Sequence, residues 1–464
     1  MKTITRHKIP YTIDASCYFE KIRSMPEAIW LDSGKPNSVQ GSIDIISSDP
    51  DTIIETWGNL SMITDSSGTH TTDQDPFSIV QQALEPLTPM ASNDTSIPFT
   101  GGLLGFFGYD LGRHVVDIPN TAKPIVDFPD MRLGRYLWAL LVDHAEEEAQ
   151  IIFHEYCDSS LTSKIINRFE NISDIKDSPV ETFRLTEPFS SSLEKSDYIA
   201  AVDSIKNYIV SGDCYQTNFT QHFSAPFIGD EWEAYKQLRN SCPSPYSAFW
   251  RWEDKALLSI SPERFLQVSY DDNQRLSVET KPIKGTIPRG KTLNEDQKNS
   301  DLLTTSEKDR AENLMIVDLL RNDISKNCAP GTVKVPRLFE LESFPNVHHL
   351  VSTITGKLDS KAKPIQLLRD CFPGGSITGA PKRRAMEIIE ELEPVRRSLY
   401  CGSIGYLSSN GRMDTNIAIR TVIASDSVLH CSAGGGIVSD SDGNQEYLES
   451  LAKIRLILET LETL

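Results

Sequence analysis

Several common chemistries find no footing in this chain. Its eight cysteines, Cys17, Cys157, Cys214, Cys242, Cys328, Cys371, Cys401 and Cys431, include no C-x-x-C pair, which leaves zinc knuckles and thioredoxin-type chemistry unsupported. There is no G-x-S-x-G and no H-E-x-x-H, and His348 and His349 are adjacent rather than four apart. The longest apolar run, about Leu137 to Val142, is far short of the roughly 20 residues of a membrane helix. No apolar stretch follows Lys2, Arg6 and Lys8, so no secretory signal is expected. Basic residues are in deficit: 46 Lys and Arg against 65 Asp and Glu leave a net charge of −19. That field disfavours nucleic acid and anionic lipid as general partners. Scattered thiols in an acidic chain fit a cytoplasmic protein. Two near-motifs also fail. Gly374 to Ala380 approaches Walker A spacing, but Ala380 stands where the phosphate-reaching lysine belongs. Gly212-Asp213-Cys214-Tyr215-Gln216 approaches a nucleophile elbow but lacks its second glycine.

What remains is an ordinary globular composition over 464 residues, enough for two or three domains. Strand-like patches lie at Ile43 to Ser47, Leu103 to Tyr109, Tyr136 to Val142 and Gln150 to Phe153. A polar junction falls near Ser190 and suggests an N-terminal region over 1–190 and a second over 191–464. Tyr198 to Val210 has helical periodicity. Ser306 with Asp309 reads as a capping box opening a helix to about Asn322. Glu446 to Leu461 reads as an amphipathic helix with Leu448, Leu451, Ile454 and Leu458 as its apolar stripe. Strands and helices mix without β-α-β alternation, which favours an α+β fold.

Three constellations carry possible chemistry. Glu446, Glu449 and Lys453 share one helix face, and Glu312 precedes an apolar run on another helix. Solvated surface charge is the ordinary reading of a lone glutamate, yet glutamates from two helices would also suit octahedral Mg2+. Ser432 to Ile437, with Gly434, Gly435 and Gly436, and Pro373 to Gly379 each read either as a tight turn or as a nest of N–H groups for an anion. Arg420, inside a strand-like run, would need an anionic partner if buried. Lys284 follows Pro282-Ile283 and precedes Gly285. On the residues alone it is a solvated lysine; in apolar surroundings its amine would be a nucleophile.

In order along the chain, Gly212 to Gln216, Ser261-Pro262-Glu263-Arg264-Phe265, Lys281-Pro282-Ile283-Lys284-Gly285-Thr286, Asp309 to Asn313, His348-His349-Leu350, Pro373 to Lys382, Ala418 to Thr421, Gly434 to Gly436 and Glu446 to Glu449 resemble the chorismate-utilising enzymes. The resemblance is strong over about 195 to 460, and looser over Gly105 to Gly112. It implies a four-layer α/β/β/α sandwich with two orthogonally packed, mainly antiparallel sheets built by both halves of the chain. It implies chorismate bound on Mg2+, with Glu312 and Glu449 as metal-linked carboxylates and Glu446 nearby. It places Arg420, Tyr406, Lys453 and the three glycines on the substrate's carboxylates, and Thr286, His349 and Thr378 against the substrate. Gln216 stands where the isochorismate-forming members carry a lysine base, so water addition is disfavoured. Lys284 stands where anthranilate synthases carry alanine, and marks the aminodeoxychorismate-forming branch. The implied reaction uses Glu263 as general acid and Lys284 as covalent nucleophile, with ammonia from a glutamine amidotransferase subunit. Anthranilate synthase is the alternative. The family's N-terminal region can hold tryptophan, and Asp32 and Ser33 sit where that site would begin.

Overall fold

The computed structural model describes residues 4–88, 95–170, 181–344 and 347–464. Two large sheets dominate it, and every pairing between their strands is antiparallel. The first runs from Thr5–Ile9 through Glu148–Phe153, Trp138–Asp143, Ile43–Ser47 and Ile29–Asp32 to Tyr246–Trp252, Lys255–Ser261, Thr421–Ser425, Val428–Ile437 and Gln216–Ile228. The second runs from Ile283–Pro288 through Val347–Lys357, Leu276–Thr280, Arg264–Tyr270, Met413–Asn416 and Ser403–Ser408 to Gly102–Phe107, Met131–Tyr136, Thr52–Trp57, Leu60–Asp65 and Gly68–Thr72. Both sheets interleave strands from before and after Ser190, so the polar junction does not divide the chain into separate cores.

Side-chain alternation sorts the core into layers. In the strand Trp138–Asp143, Trp138, Leu140 and Val142 join a cluster with Phe19, Ile165, Trp232 and Ile454, which come from helices. Ala139 and Leu141 face the other way, into a cluster with Leu104, Phe106 and Ile404 of the second sheet. Leu103 and Phe107 of that sheet point outward to Phe77, Ile316 and Leu368, again from helices. The order is therefore helices, sheet, sheet, helices, and the α+β expectation holds. Among the described residues no helix is long and apolar enough to cross a membrane.

Two helices matter most for the site. Glu307–Ser325 starts at the Ser306 cap, whose hydroxyl accepts from the Asp309 N–H at 3.2 Å. Gly443–Glu462 starts at an Asp442 cap. The expected stripe holds at Leu451, Ile454 and Leu458, which pack on the helix-covered core; Leu448 is 58% exposed, and Glu446 and Ser450 point inward instead. The reason is polar. Ser450 Oγ accepts from Gln221 Nε2 at 2.6 Å, and Ser441 Oγ donates to Glu446 Oε1 at 2.7 Å. The first turns of the helix thus face a polar strand rather than an apolar core.

Candidate active site

The chain crosses from one sheet to the other at two places that carry candidate residues. Glu263 lies between Lys255–Ser261 of the first sheet and Arg264–Tyr270 of the second. Arg420 lies between Met413–Asn416 of the second and Thr421–Ser425 of the first, with φ +50° rather than in the expected strand. Crossing segments leave the hydrogen-bond ladders, which frees their side chains from the strict alternation of a strand.

Lys284 occupies an irregular stretch of the edge strand Ile283–Pro288, where the register against Val347–Lys357 slips between Ile283 and Thr286. Gly285 beside it has φ +82°. Such bulges re-aim side chains. Lys284 Nζ donates to the Ser376 carbonyl at 3.3 Å, in the short turn Gly375–Ile377. Burial lowers the lysine from its ordinary value, Glu312 opposes that, and Lys453 adds to it. Glu263 is buried, 6% exposed, and its carboxyl is pushed up to about 7. Burial is the main cause, held back by Lys284 and by hydrogen bonds from Ser376 and the Ile283 backbone. A lysine lowered by burial and a carboxyl raised by it thus lie within electrostatic reach of each other, the directions in which nucleophilic and acid catalysis need the two groups to move.

The three glycines do not form a nest. Gly434, Gly435 and Gly436 lie in the extended strand Val428–Ile437, paired with Thr220, Phe219 and Asn218. Glycine is required for closeness instead. A Cβ on Gly434 would fall 2.1 Å from the Phe219 carbonyl, and one on Gly436 1.9 Å from Gln216 Nε2. A Cβ on Gly435 would press on charged side-chain ends, Lys453 Nζ at 3.3 Å and Glu446 Oε2 at 3.4 Å, with Glu449 Oε1 at 3.9 Å. Lys453 Nζ also donates to the Gly434 carbonyl at 3.0 Å and pairs with Glu449 at 2.8 Å. Gln216 is buried beside Gly436, and its Oε1 has no hydrogen-bond partner among the described residues.

Glu312 joins from the helix Glu307–Ser325. Burial raises its carboxyl, while Lys284 and Lys308 oppose the rise. Glu449 is lowered: burial works to raise it, but Lys453 prevails. Among the described residues no group of three or more His, Cys, Asp or Glu stands together as a ready metal cage. Two carboxylates do converge on Gly435, and Mg2+ is held by one or two carboxylates plus ligand oxygens rather than by an all-protein cage. The oxygen-only donor set fits a hard divalent cation.

His349 is buried, and its imidazole falls to about 4 through burial and the nearby Arg420 charge. It is neutral at neutral pH. Its Nδ1 lies 2.8 Å from Thr286 Oγ1. Arg420 is lowered by burial and has no carboxylate partner among the described residues, which suits an anionic ligand. Thr378 is fully buried and donates to the Gly374 carbonyl at 3.0 Å.

Tyr406, expected on the substrate, lies elsewhere, in the region of Asp32 where the resemblance begins a tryptophan site. Tyr406 and Asp32 line a separate cavity of about 140 Å3 with Tyr246, Arg264 and Asp414. Tyr406 is on the strand Ser403–Ser408 and packs edge-on to Phe99. Asp32 Oδ2 is already held by Arg239 at 2.7 Å and Tyr235 at 2.8 Å. Ser33 is spent on Asp44, through its N–H at 2.7 Å and its hydroxyl at 3.2 Å. Sequence reasoning also passed over two residues. Ser376 touches both Lys284 and Glu263, and Lys308 pairs with Glu446 and Glu312. Ser376 lies inside the glycine-rich stretch Pro373 to Gly379; Lys308 carried no signal beyond its i,i+4 spacing to Glu312.

Comparison with known proteins matches residues 26–459 to the chorismate binding enzyme family. Aminodeoxychorismate synthase component 1 of Salmonella typhimurium is 44% identical over the full length of both chains. That of Escherichia coli is 45% identical, covering 97% of this chain and 96% of its own. Anthranilate synthase component 1 of Geobacillus stearothermophilus is 35% identical over 87% of this chain and 83% of its own. The crystal structure of anthranilate synthase component I from Streptococcus pneumoniae superimposes with a TM-score of 0.79 at 30% identity, covering 91% of this chain and 93% of that one. The resemblance read from the ordered motifs thus holds, and the chain belongs to the chorismate binding enzymes.

Proposed function

We propose that this chain is the aminating component of an aminodeoxychorismate synthase, converting chorismate and ammonia to 4-amino-4-deoxychorismate. One observation carries the choice of chemistry: the lowered amine of Lys284 and the raised carboxyl of Glu263 lie together at Ser376. The 44–45% identity to proteins named aminodeoxychorismate synthase component 1 supports it.

The reaction follows from the groups present. Lys284, as free amine, forms a bond to C2 of chorismate. The two ring double bonds shift, and the C4–O bond breaks. Glu263 gives its proton to the departing hydroxyl, which leaves as water. Ammonia then bonds to C4, the double bonds shift back, and the C2–N bond breaks with its electron pair returning to Lys284. The excess proton on the new amine returns to the Glu263 carboxylate. Two shifts explain why nitrogen ends where oxygen began. Arg420 and Lys453 hold the substrate's carboxylates, and neutral His349, fixed by Thr286, orients the leaving side. Glu446 and Glu449, with Glu312, would hold Mg2+, which when bound polarises the ring carboxylate. Gln216 cannot act as a base, so water is not activated in place of ammonia.

The ammonia comes from a glutamine amidotransferase partner. The relatives' designation as component 1 supports a second subunit, and Cys214 is a buried thiol raised by burial rather than an activated nucleophile. Eight free cysteines fit a cytoplasmic setting. The separate cavity beside Asp32 takes tryptophan in this reading, its walls supplied by Leu31, Ile45 and Tyr246; calorimetric titration with tryptophan checks it, and absence of heat rejects it.

The deciding assay incubates the purified chain with chorismate, Mg2+ and ammonium. The expected product yields para-aminobenzoate only when an aminodeoxychorismate lyase is added. Fluorescent anthranilate appearing without the lyase would instead establish the anthranilate synthase reading.

A further inference from the structure

Lys308 stands in the first turn of the helix Glu307–Ser325. Its ammonium lies 3.5 Å from Glu446 Oε1 and 4.0 Å from Glu312 Oε1. The Glu312 contact is an ordinary i,i+4 pair. The Glu446 contact is not, because it joins two helices 138 residues apart. The two partners differ in freedom. The Glu446 side chain is 4% exposed, whereas that of Lys308 is 50% exposed on a flexible stem.

Around Gly435, Glu312, Glu446 and Glu449 face Lys308 and Lys453, and Lys284 lies close enough to act on Glu312 and Glu449. A buried carboxylate such as Glu446 keeps its charge at low cost only beside a cation. The Lys308 ammonium meets that need from the solvent side and is able to leave it, since the lysine stem reorients readily.

We propose that Lys308 is a resident counter-ion that competes with the divalent cation for Glu446 and Glu312, and that this competition makes the cation and the dianionic substrate bind cooperatively. The inference rests on the reading of the site as one for chorismate and Mg2+. While Lys308 and Lys453 stay among the three carboxylates, a dication that arrives alone must displace Lys308 or add to their positive charge. A dianion that arrives with it offsets that charge. Each ligand therefore strengthens the other, and by linkage the effect is reciprocal. Displacing Lys308 into solvent is the cost that the first ligand meets alone.

The test titrates Mn2+ into the full chain, reading free ion by electron paramagnetic resonance, with and without chorismate and with no ammonia present. Wild type and Lys308→Met are compared, the methionine keeping most of the stem. Without chorismate, Lys308→Met is expected to bind Mn2+ about tenfold more tightly than wild type, which is about 1.4 kcal/mol. Chorismate is expected to tighten Mn2+ binding to wild type by about tenfold or more, and to the variant by much less. Lys308→Arg keeps the charge and should stay near wild type. Lys308→Gln gives the same comparison if the methionine disturbs packing. Equal or weaker Mn2+ binding by the neutral variants overturns the counter-ion role alone. No Mn2+ binding by any protein, even with chorismate, overturns the cation reading itself.

Discussion

Replacing Glu263 with glutamine should make the chain a poorer catalyst and a more stable protein, and the two effects share one cause. Glu263 is buried where the chain crosses between sheets, and its carboxyl is raised from 4.5 to about 7. At about 1.4 kcal/mol for each pH unit, ionised Glu263 costs the folded chain about 3 kcal/mol. The value is higher folded than unfolded, so the folded chain holds the extra proton through the window from about 4.5 to 7. Stability contributed by that proton is fully present below the window and is lost as pH rises through it. Glu263→Gln stays neutral throughout. Urea unfolding should find the variant close to wild type at pH 4.5 and more stable by up to about 3 kcal/mol at pH 8. In the same preparation, kcat for chorismate consumption with ammonium should fall roughly 10²- to 10⁴-fold, the range for loss of a general acid. The fall in wild-type activity above about pH 7 should vanish from the residual rate. A variant no more stable than wild type at pH 8 would refute the burial argument. A variant that keeps both its rate and its alkaline limb would show that another group supplies the proton.

Lys284→Ala should abolish amination by roughly 10³-fold or more while leaving urea stability near wild type, since a lysine lowered by burial gains from removal what it loses in packing. Intact-mass spectrometry after mixing with chorismate should find an adduct on wild type only; an adduct on the variant would reject Lys284 as nucleophile. Gly434→Ala and Gly435→Ala should separate folding from binding. The first drives a Cβ to 2.1 Å from the Phe219 carbonyl and should cost a few kcal/mol in urea unfolding. The second presses on the charged side-chain ends of Lys453 and Glu446, beside Glu449, and should raise KM for chorismate with little change in unfolding. Equal effects of the two on unfolding would refute the distinction.

The sequence by itself determined what local chemistry can write. Ser306 announced its helix because an N-cap needs only a hydroxyl three residues before an N–H. The order of the motifs carried the family and its fold, because so many short strings in one sequence order cannot recur by chance. Lys284 and Glu263 were legible as candidates, but their ionisation was not, since a pKa depends on what burial removes from water. Tertiary structure alone decided that. It alone turned Glu446 and Ser450 of the last helix inward in place of Leu448, because a polar strand rather than an apolar core lies beneath them. It drew Gly434 to Gly436 out into a strand, where close contact rather than backbone freedom requires glycine. It sent Tyr406 to the Asp32 cavity. It brought Lys308 to Glu446 across 138 residues. Each of these depends on which surfaces meet when two sheets and their helices pack, and pairwise contact between distant segments leaves no period or spacing in a single chain to be read.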